Sequence, residues 1–400
     1  MNNQRIPIRV THVITRLIIG GAQENTVASV LGLREHSDLA VSLISGSTAG
    51  PEGSLEPVFA NVPNVLSVLP SLVRPIHPWK DAFALRQLSR LFCAQQPHLV
   101  HTHSGKAGIL GRLAARRAGV PIIVHNIHGP SFGPFQNALA NCFFRAAERC
   151  AAHCTTHFVS VADAMTQQYL AAGIGRPEIF TRIYSGFPLK PFLSARCDPA
   201  FRASLGFSSS DFVVGMVARL AALKGHNDLL AIAPGLVRRC PQIKFLLVGD
   251  GPWRQRVETE VRALSLQNQF YFTGLVEPAE IPRLIGSMDA LVHLSRREGL
   301  PRALAQALAA ARPVVAYDCD GAREICLPEQ TGFLVQPGDL DEVARRLLQL
   351  SAHPQLRADL GKRGQNIAKE RFSIEQMIER LYALYQRLAQ ERIGKNVLSR

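Results

Sequence analysis

The sequence has eight cysteines but no C-x-x-C pair and no second Cys/His pair at metal-ligand spacing. That speaks against a zinc finger or zinc ribbon. Cys93, Cys142, Cys150, Cys154, Cys197, Cys240, Cys319 and Cys326 are expected to be reduced core thiols. Cys142, Cys150 and Cys154 are spaced by whole helical turns, as on one buried helix face. No apolar run reaches the ~18 residues that a membrane-spanning helix needs. The opening MNNQRIPIRVTHVITRLIIGG is broken by Arg5, Arg9 and Arg16, so it lacks the apolar core of a signal peptide. A cytoplasmic protein is expected. There is no G-x-G-x-x-G, no P-loop, and no helix-turn-helix, aromatic RNP or zinc pattern of a nucleic-acid binder. No nucleic-acid partner is therefore expected.

Acidic residues are scarce as well. The formal net charge is +14, with 18 Lys and Arg against 10 Asp and Glu in residues 1–200 and 27 against 21 in the rest. The excess is spread over both halves, and it implies anionic partners such as nucleotide phosphates or an anionic membrane surface. Apolar residues make up 47% and charged residues 19% of the 400-residue chain, which suits a globular protein of two domains.

Apolar runs rich in Val and Ile alternate with stretches of helical period. Strands are predicted at 9–14, 39–44, 65–69, 98–103, 121–126 and 156–161, with helices near 22–33, 79–95, 105–118 and 133–153. A run with three prolines, GFPLKPFLSARCDPAF (186–201), reads as a helix-poor linker. The alternation restarts with strands at 212–218, 244–250, 270–274, 290–294, 313–317 and 332–336, followed by an all-helical tail over 353–391. This pattern argues for doubly wound parallel sheets. TRLIIGGAQENTVA and ARLAALKGHNDLLA echo each other after the first strand of each half. Two such domains facing a central cleft would place a ligand at the carboxyl ends of both strand sets.

Three stretches carry chemistry. In GMVARLAALKGHNDLL, Arg219 and Lys224 follow a strand and precede a helix, as charge-assisted donors to an anion would. In LLVGDGPWRQRVE, Gly249 and Gly251 permit a tight turn and a close backbone approach to a ligand. In SRREGLPRALAQALAAARP, Glu298 precedes Gly299, Leu300 and a first-turn Pro301, and Gln306 lies on the helix that follows. The open amides of that helix start form an anion site. A phosphate bound there leaves Glu298 to serve as an acceptor for hydroxyl groups.

These motifs in this order resemble the retaining glycosyltransferases of family 4, which have the GT-B fold. RLAALKG (219–225), GDGP (249–252), FTG (272–274), EGLPRALAQALAAARPVVA (298–316), GAREI (321–325) and TGFLVQPGD (331–339) carry the resemblance in the second half. GGAQ (20–23), HTHSGKAGILGRLAARRAGVP (101–121) and VHNIHG (124–129) resemble members that build surface polysaccharides and lipid-linked saccharides. The resemblance implies an N-terminal acceptor domain (1–190), a C-terminal nucleotide-sugar domain (191–372) and a terminal helix (373–400) returning to the first. It implies a hexose-type sugar moved from a nucleotide donor, UDP foremost, to a saccharide or lipid-linked acceptor. The attack would be same-face, with no catalytic metal or cofactor. It assigns Arg219 and Lys224 to the diphosphate, Glu298 to sugar hydroxyls and the loop near Val276 to the base. Gly20 and Gly21 would close over the phosphates, and His128 would face the sugar. The excess basic charge adds peripheral contact with an anionic membrane, at its inner face, as an open expectation. One position departs from the family pattern. The second glutamate, which binds the ribose, is Gln306 here, and a glycine has become Ala311.

Other candidates have plainer readings. His101, His103, His125 and His128 are expected to be split between strand faces, as buried or cleft-lining residues and not as a metal cluster. Lys106, Arg112, Arg116 and Arg117 read as a solvated helix face, with a place beside anionic phospholipid as the alternative. Phe132, Phe135, Phe143 and Phe144 read as core. Two alternatives within the fold are a nucleotide-sugar 2-epimerase, against which the R-x4-K and E-G-x-P motifs argue, and a catalytically degenerate scaffold.

Overall fold

The computed structural model describes residues 7–48, 50, 53–133 and 135–394. The chain divides into two compact units, Met1–Phe187 with Ile374–Arg400, and Pro188–Ser373. Among the described residues, the strands of the first unit are β1 (Ile8–Ile14), β2 (Leu39–Ser45), β3 (Leu66–Val68), β4 (Leu99–His103), β5 (Ile122–Ile127), β6 (His157–Ser160) and β7 (Phe180–Arg182). They pair in parallel in the order β3-β2-β1-β4-β5-β6-β7. Its helices are α1 (Gly21–Leu33), α2 (Pro78–Gln95), α3 (Gly105–Arg117), α4 (Ala138–Ala152) and α5 (Asp163–Ala171).

The second unit opens with α6 (Leu189–Leu193) and α7 (Pro199–Ser204). Then come β8 (Phe212–Val217), α8 (His226–Arg239), β9 (Ile243–Val248), α9 (Arg254–Ala263), β10 (Phe270–Phe272), α10 (Ile281–Gly286), β11 (Ala290–His293), α11 (Arg302–Ala309), β12 (Val314–Tyr317), β13 (Gly332–Val335), α12 (Leu340–Ala352) and α13 (Pro354–Arg371). Its parallel sheet runs β10-β9-β8-β11-β12-β13. The last helix, α14 (Ile374–Arg392), belongs to the first unit. Its apolar residues Met377, Leu381, Leu384 and Leu388 recur every three or four positions. That stripe packs with Val10, Val30, Leu43 and Val124 on one face of the first sheet. The other face is filled by Leu88 and Phe92 of α2 and Ala107 and Ala114 of α3.

Four sequence expectations are corrected. The linker is not helix-poor: Asp198 caps α7 by accepting from the Ala200 and Phe201 amides, and Pro199 takes the first turn. Of the eight cysteines only Cys240 and Cys326 are buried: Cys93, Cys142, Cys150 and Cys197 are exposed, and Cys154 and Cys319 are half-buried. The buried face of α4 is instead the one that carries Glu148 and Ala151. On α3, Arg112 is not solvated but fully buried, and its Nη2 donates to Glu148 Oε2 at 2.6 Å, pinning α3 to α4. Phe132 is buried, but Phe143 is 58% exposed, on the outer side of α4.

Candidate active site

Both sheets share the strand order of a classic doubly wound fold. The chain reverses its direction of travel across the sheet between β1 and β4, and again between β8 and β11. Loops leaving the carboxyl ends diverge at such a switch point and leave a crevice.

In the second unit, the loop after β8 is zipped onto the loop after β9. Ala218 N–H donates to Val248 O (3.0 Å), Leu220 N–H to Asp250 O (3.0 Å) and Trp253 N–H to Leu220 O (2.9 Å). Gly249 has φ 130° and Gly251 φ 156°. A Cβ on Gly249 would lie 2.3 Å from Ala218 O, and one on Gly251 2.4 Å from Leu220 O. Only glycine fits here, and the immediate reason is loop-on-loop packing. Arg219 is thereby held, exposed, at the crevice. Leu223 takes a left-handed φ of 67°, and its carbonyl accepts from Arg296 N–H (2.8 Å) and Ser295 Oγ (3.2 Å). The loops after β8 and β11 are thus tied together.

That tie brings Lys224 to Glu298. Lys224 Nζ donates to Glu298 Oε1 at 2.6 Å, with 29% and 15% of the two side chains exposed. His293, the last residue of β11, has Nε2 3.2 Å from the same oxygen. The two atoms are in close polar contact, although Nε2 meets no hydrogen-bond geometry. Burial alone would raise the Glu298 carboxyl. Lys224 and His293 outweigh it and hold the group well below the usual carboxylate range. The Glu298 amide donates to Asp320 Oδ2 at 2.7 Å, and Gly321 N–H to Gly299 O at 3.1 Å, which fix the turn leading into α11.

Pro301 stands at the cap position of α11 and not within its first turn, and no side chain caps the helix amides. Leu300 and Gly299 are buried behind them, and Gln306 is half-buried on the helix. Val276 is half-buried in the loop that follows β10, beyond the bridge between Gly249 and Gly274. The second unit therefore brings Arg219, Lys224, Glu298 and the start of α11 to one switch point.

The first unit has a corresponding switch point. Gly20 and Gly21 form the start of α1, where Gly20 O accepts from Glu24 N–H at 2.9 Å and no side chain caps the helix. His128 lies just past β5, half-buried, with Nε2 3.0 Å from His103 Nδ1. The expectation that His101 and His103 lie on opposite strand faces is wrong. Residues two apart on a strand share a face. Their rings lie 4.4 Å apart, with His12 of β1 beside both. His12, His101 and His103 come close enough that one ring nitrogen from each lies within 4.8 Å of the others.

Residues 198–367 match the family described as glycosyl transferases group 1, and residues 20–182 match the glycosyl transferase 4-like domain. The chain belongs to the GT-B glycosyltransferases. It is similar to the UDP-Gal:alpha-D-GlcNAc-diphosphoundecaprenol alpha-1,3-galactosyltransferase of Escherichia coli, at 27% identity over 321 residues covering 79% of this chain and 82% of that one. The capsular polysaccharide biosynthesis glycosyltransferase CapM of Staphylococcus aureus is 22% identical over 338 residues, covering 83% and 87%. The fold is shared with Anabaena HepE, solved in complex with UDP and glucose, at a TM-score of 0.78 and 22% identity over 95% of this chain and 99% of that one. Among the described residues of this glycosyltransferase, no helix is long and apolar enough to cross a membrane.

Several residues that shape the site escaped the sequence reading. His293 is a polar residue ending an otherwise apolar buried strand, which is a usable signal. Asp320 is less legible, because its role rests on a φ of 51° that only the fold reveals. Asp228 accepts from Arg296 Nη2 and Tyr317 OH, both at 2.8 Å, and braces the loop from behind.

Proposed function

We propose that this glycosyltransferase retains anomeric configuration and moves a hexose-type sugar from UDP to a saccharide or lipid-linked acceptor in surface-polysaccharide synthesis. The observation that carries the reading is the convergence of Lys224, Arg219, Glu298 and the uncapped start of α11 on one switch point. A leaving diphosphate gathers negative charge in the transition state, and fixed cations and helix amides stabilise it there. No metal is needed in this scheme. The relatives support the choice of UDP and of a lipid-linked acceptor: the Escherichia coli enzyme is named for UDP-Gal and a diphosphoundecaprenol acceptor, and HepE was solved with UDP.

Each group then has a part. Lys224 passes from Glu298 to the arriving diphosphate, joined by Arg219. Glu298 stays ionised and accepts from sugar hydroxyls. Gln306 offers the ribose one acceptor and two donors, and the backbone near Val276 holds the base. Gly20 and Gly21 approach the phosphates, and His128 meets the sugar. The leaving phosphate assists attack on the same face, since among the described residues no second carboxylate stands ready as a nucleophile. A lipid-linked acceptor brings the enzyme to an anionic membrane, where exposed Trp79, Phe83, Leu139 and Phe143 are the apolar groups such contact would use.

Calorimetry with UDP, GDP and ADP, followed by transfer to a lipid-linked saccharide with the product anomer read by NMR, tests this. UDP at about 100 times Kd should stabilise the protein by ~2.7 kcal/mol. Lys224→Ala should cost roughly 100-fold or more in kcat/KM. Absence of any UDP-induced shift, or an inverted anomer, would refute the proposal.

A further inference from the structure

Four buried groups stand in line behind His128. Parallel register places His12 of β1 opposite His101 of β4, and His103 follows on the same face. Tyr385 of α14 closes the line from the other side. The distances are His101 Nδ1 to Tyr385 OH 2.5 Å, Tyr385 OH to His12 Nε2 3.3 Å, His12 Nδ1 to His103 Nε2 2.9 Å and His103 Nδ1 to His128 Nε2 3.0 Å. His12, His101, His103 and Tyr385 are all fully buried.

A neutral imidazole has one N–H and one acceptor nitrogen, so the direction of one bond sets all the others. Burial keeps these rings neutral. It lowers His12 to about 3 and His128 to about 4, and His101 and His103 lie well below the ordinary value. The direction is read at the His101 end. His101 Nε2 is buried without a partner. A bare acceptor there is a less costly orphan than a bare N–H, so the proton of His101 sits on Nδ1. His101 Nδ1–H then donates to Tyr385, Tyr385 O–H to His12, His12 Nδ1–H to His103, and His103 Nδ1–H to His128 Nε2. Asn126 Nδ2, 3.3 Å from that nitrogen, is the weaker neighbour of its one lone pair.

We propose that His12, His103 and Tyr385 are positioning residues that hold His128 in the single Nδ1–H tautomer, so that its free edge presents a fixed hydrogen-bond donor to the substrate. This rests on the reading that His128 meets the sugar. Nδ1 of His128 makes no hydrogen bond among the described residues, and the ring is half-buried, so that edge is open. The device reaches from the last helix of the chain to the carboxyl end of β5.

The test uses the full-length protein with 15N-labelled histidine. Two-bond imidazole NMR spectra should show His128 as one tautomer, protonated at Nδ1. Tyr385→Phe, which keeps the packing, should turn it into a tautomer mixture and lower kcat about ten-fold, the scale of one hydrogen bond, with donor KM little changed. His103→Gln, which still donates one bond, should restore part of the kcat that His103→Leu loses. A His128 that is mixed in the wild type, or unaltered by both Tyr385→Phe and His103→Leu, would overturn the proposal, even with UDP binding intact. So would zinc found at one equivalent on purified protein and bound through His12, His101 and His103. A single tautomer together with an indifferent His128→Ala would instead fault the assignment of His128 to the sugar.

Discussion

At the scale of single residues, Glu298 and Lys224 were each legible from the sequence, but their pairing was not. The motifs place both at strand ends. Only the carbonyl of Leu223, bonded to the loop after β11, brings them within 2.6 Å. An arriving diphosphate must therefore compete with a carboxylate for Lys224. Ala311 shows the opposite balance. Its departure from the family's glycine is visible in the sequence, and the structure gives it a left-handed φ of 56°. An L-residue there costs roughly 1–2 kcal/mol, and glycine returns part of that gain as lost chain entropy. Ala311→Gly is expected to raise the denaturant midpoint of the second unit, corresponding to a gain in unfolding free energy on the order of 0.5–1 kcal/mol. An unchanged or lowered midpoint would mean that the methyl group's contacts outweigh the strain.

At the scale of elements, strands were the most legible. Continuous Val- and Ile-rich runs are what a sheet covered on both faces requires, and the predicted strands fall on β1–β6 and β8–β13. The short β7 and α5, and the two helices inside the proline-rich stretch, were not read. Their signals are caps and single turns, which local composition hides. The buried Arg112–Glu148 pair was missed for a related reason, since periodicity cannot distinguish an exposed basic face from an ion pair sealed between two helices. α14 is decisive for the first unit. It buries Met377, Leu381, Leu384, Tyr385 and Leu388 against the first sheet. At roughly 1.5–3 kcal/mol each, these amount to on the order of 10 kcal/mol, as much as a whole domain's stability. A chain ending at Ser373 is expected to keep the calorimetric transition of the second unit and lose that of the first. Two intact transitions would contradict the assignment of α14 to that core.

At the scale of the whole molecule, the two units should respond differently to acid. In the first, burial holds His12 near 3 and His128 and His157 near 4, with His101, His103 and His125 also well below the ordinary 6.5. The second has His226, near 4. Between pH 6.5 and 4 the unfolded chain takes up protons that the native chain refuses. Stability therefore falls as pH is lowered, by up to ~1.4 kcal/mol per pH unit for each histidine. Glu298, whose folded value is depressed, begins to lose its contribution only below about pH 5, as the unfolded carboxyl takes up its proton, so it does not enter a comparison of pH 7 with pH 5. Scans at pH 7 and pH 5 should show the first unit's transition dropping by several degrees more than the second's, and equal drops would contradict this. The placement of α14 also sets an order of events during synthesis. A ribosome makes the first unit's sheet early, yet the helix that completes its core is made only after the whole of the second unit. The second unit is complete at Ser373, so the unit that is begun second is the one whose sequence is finished first.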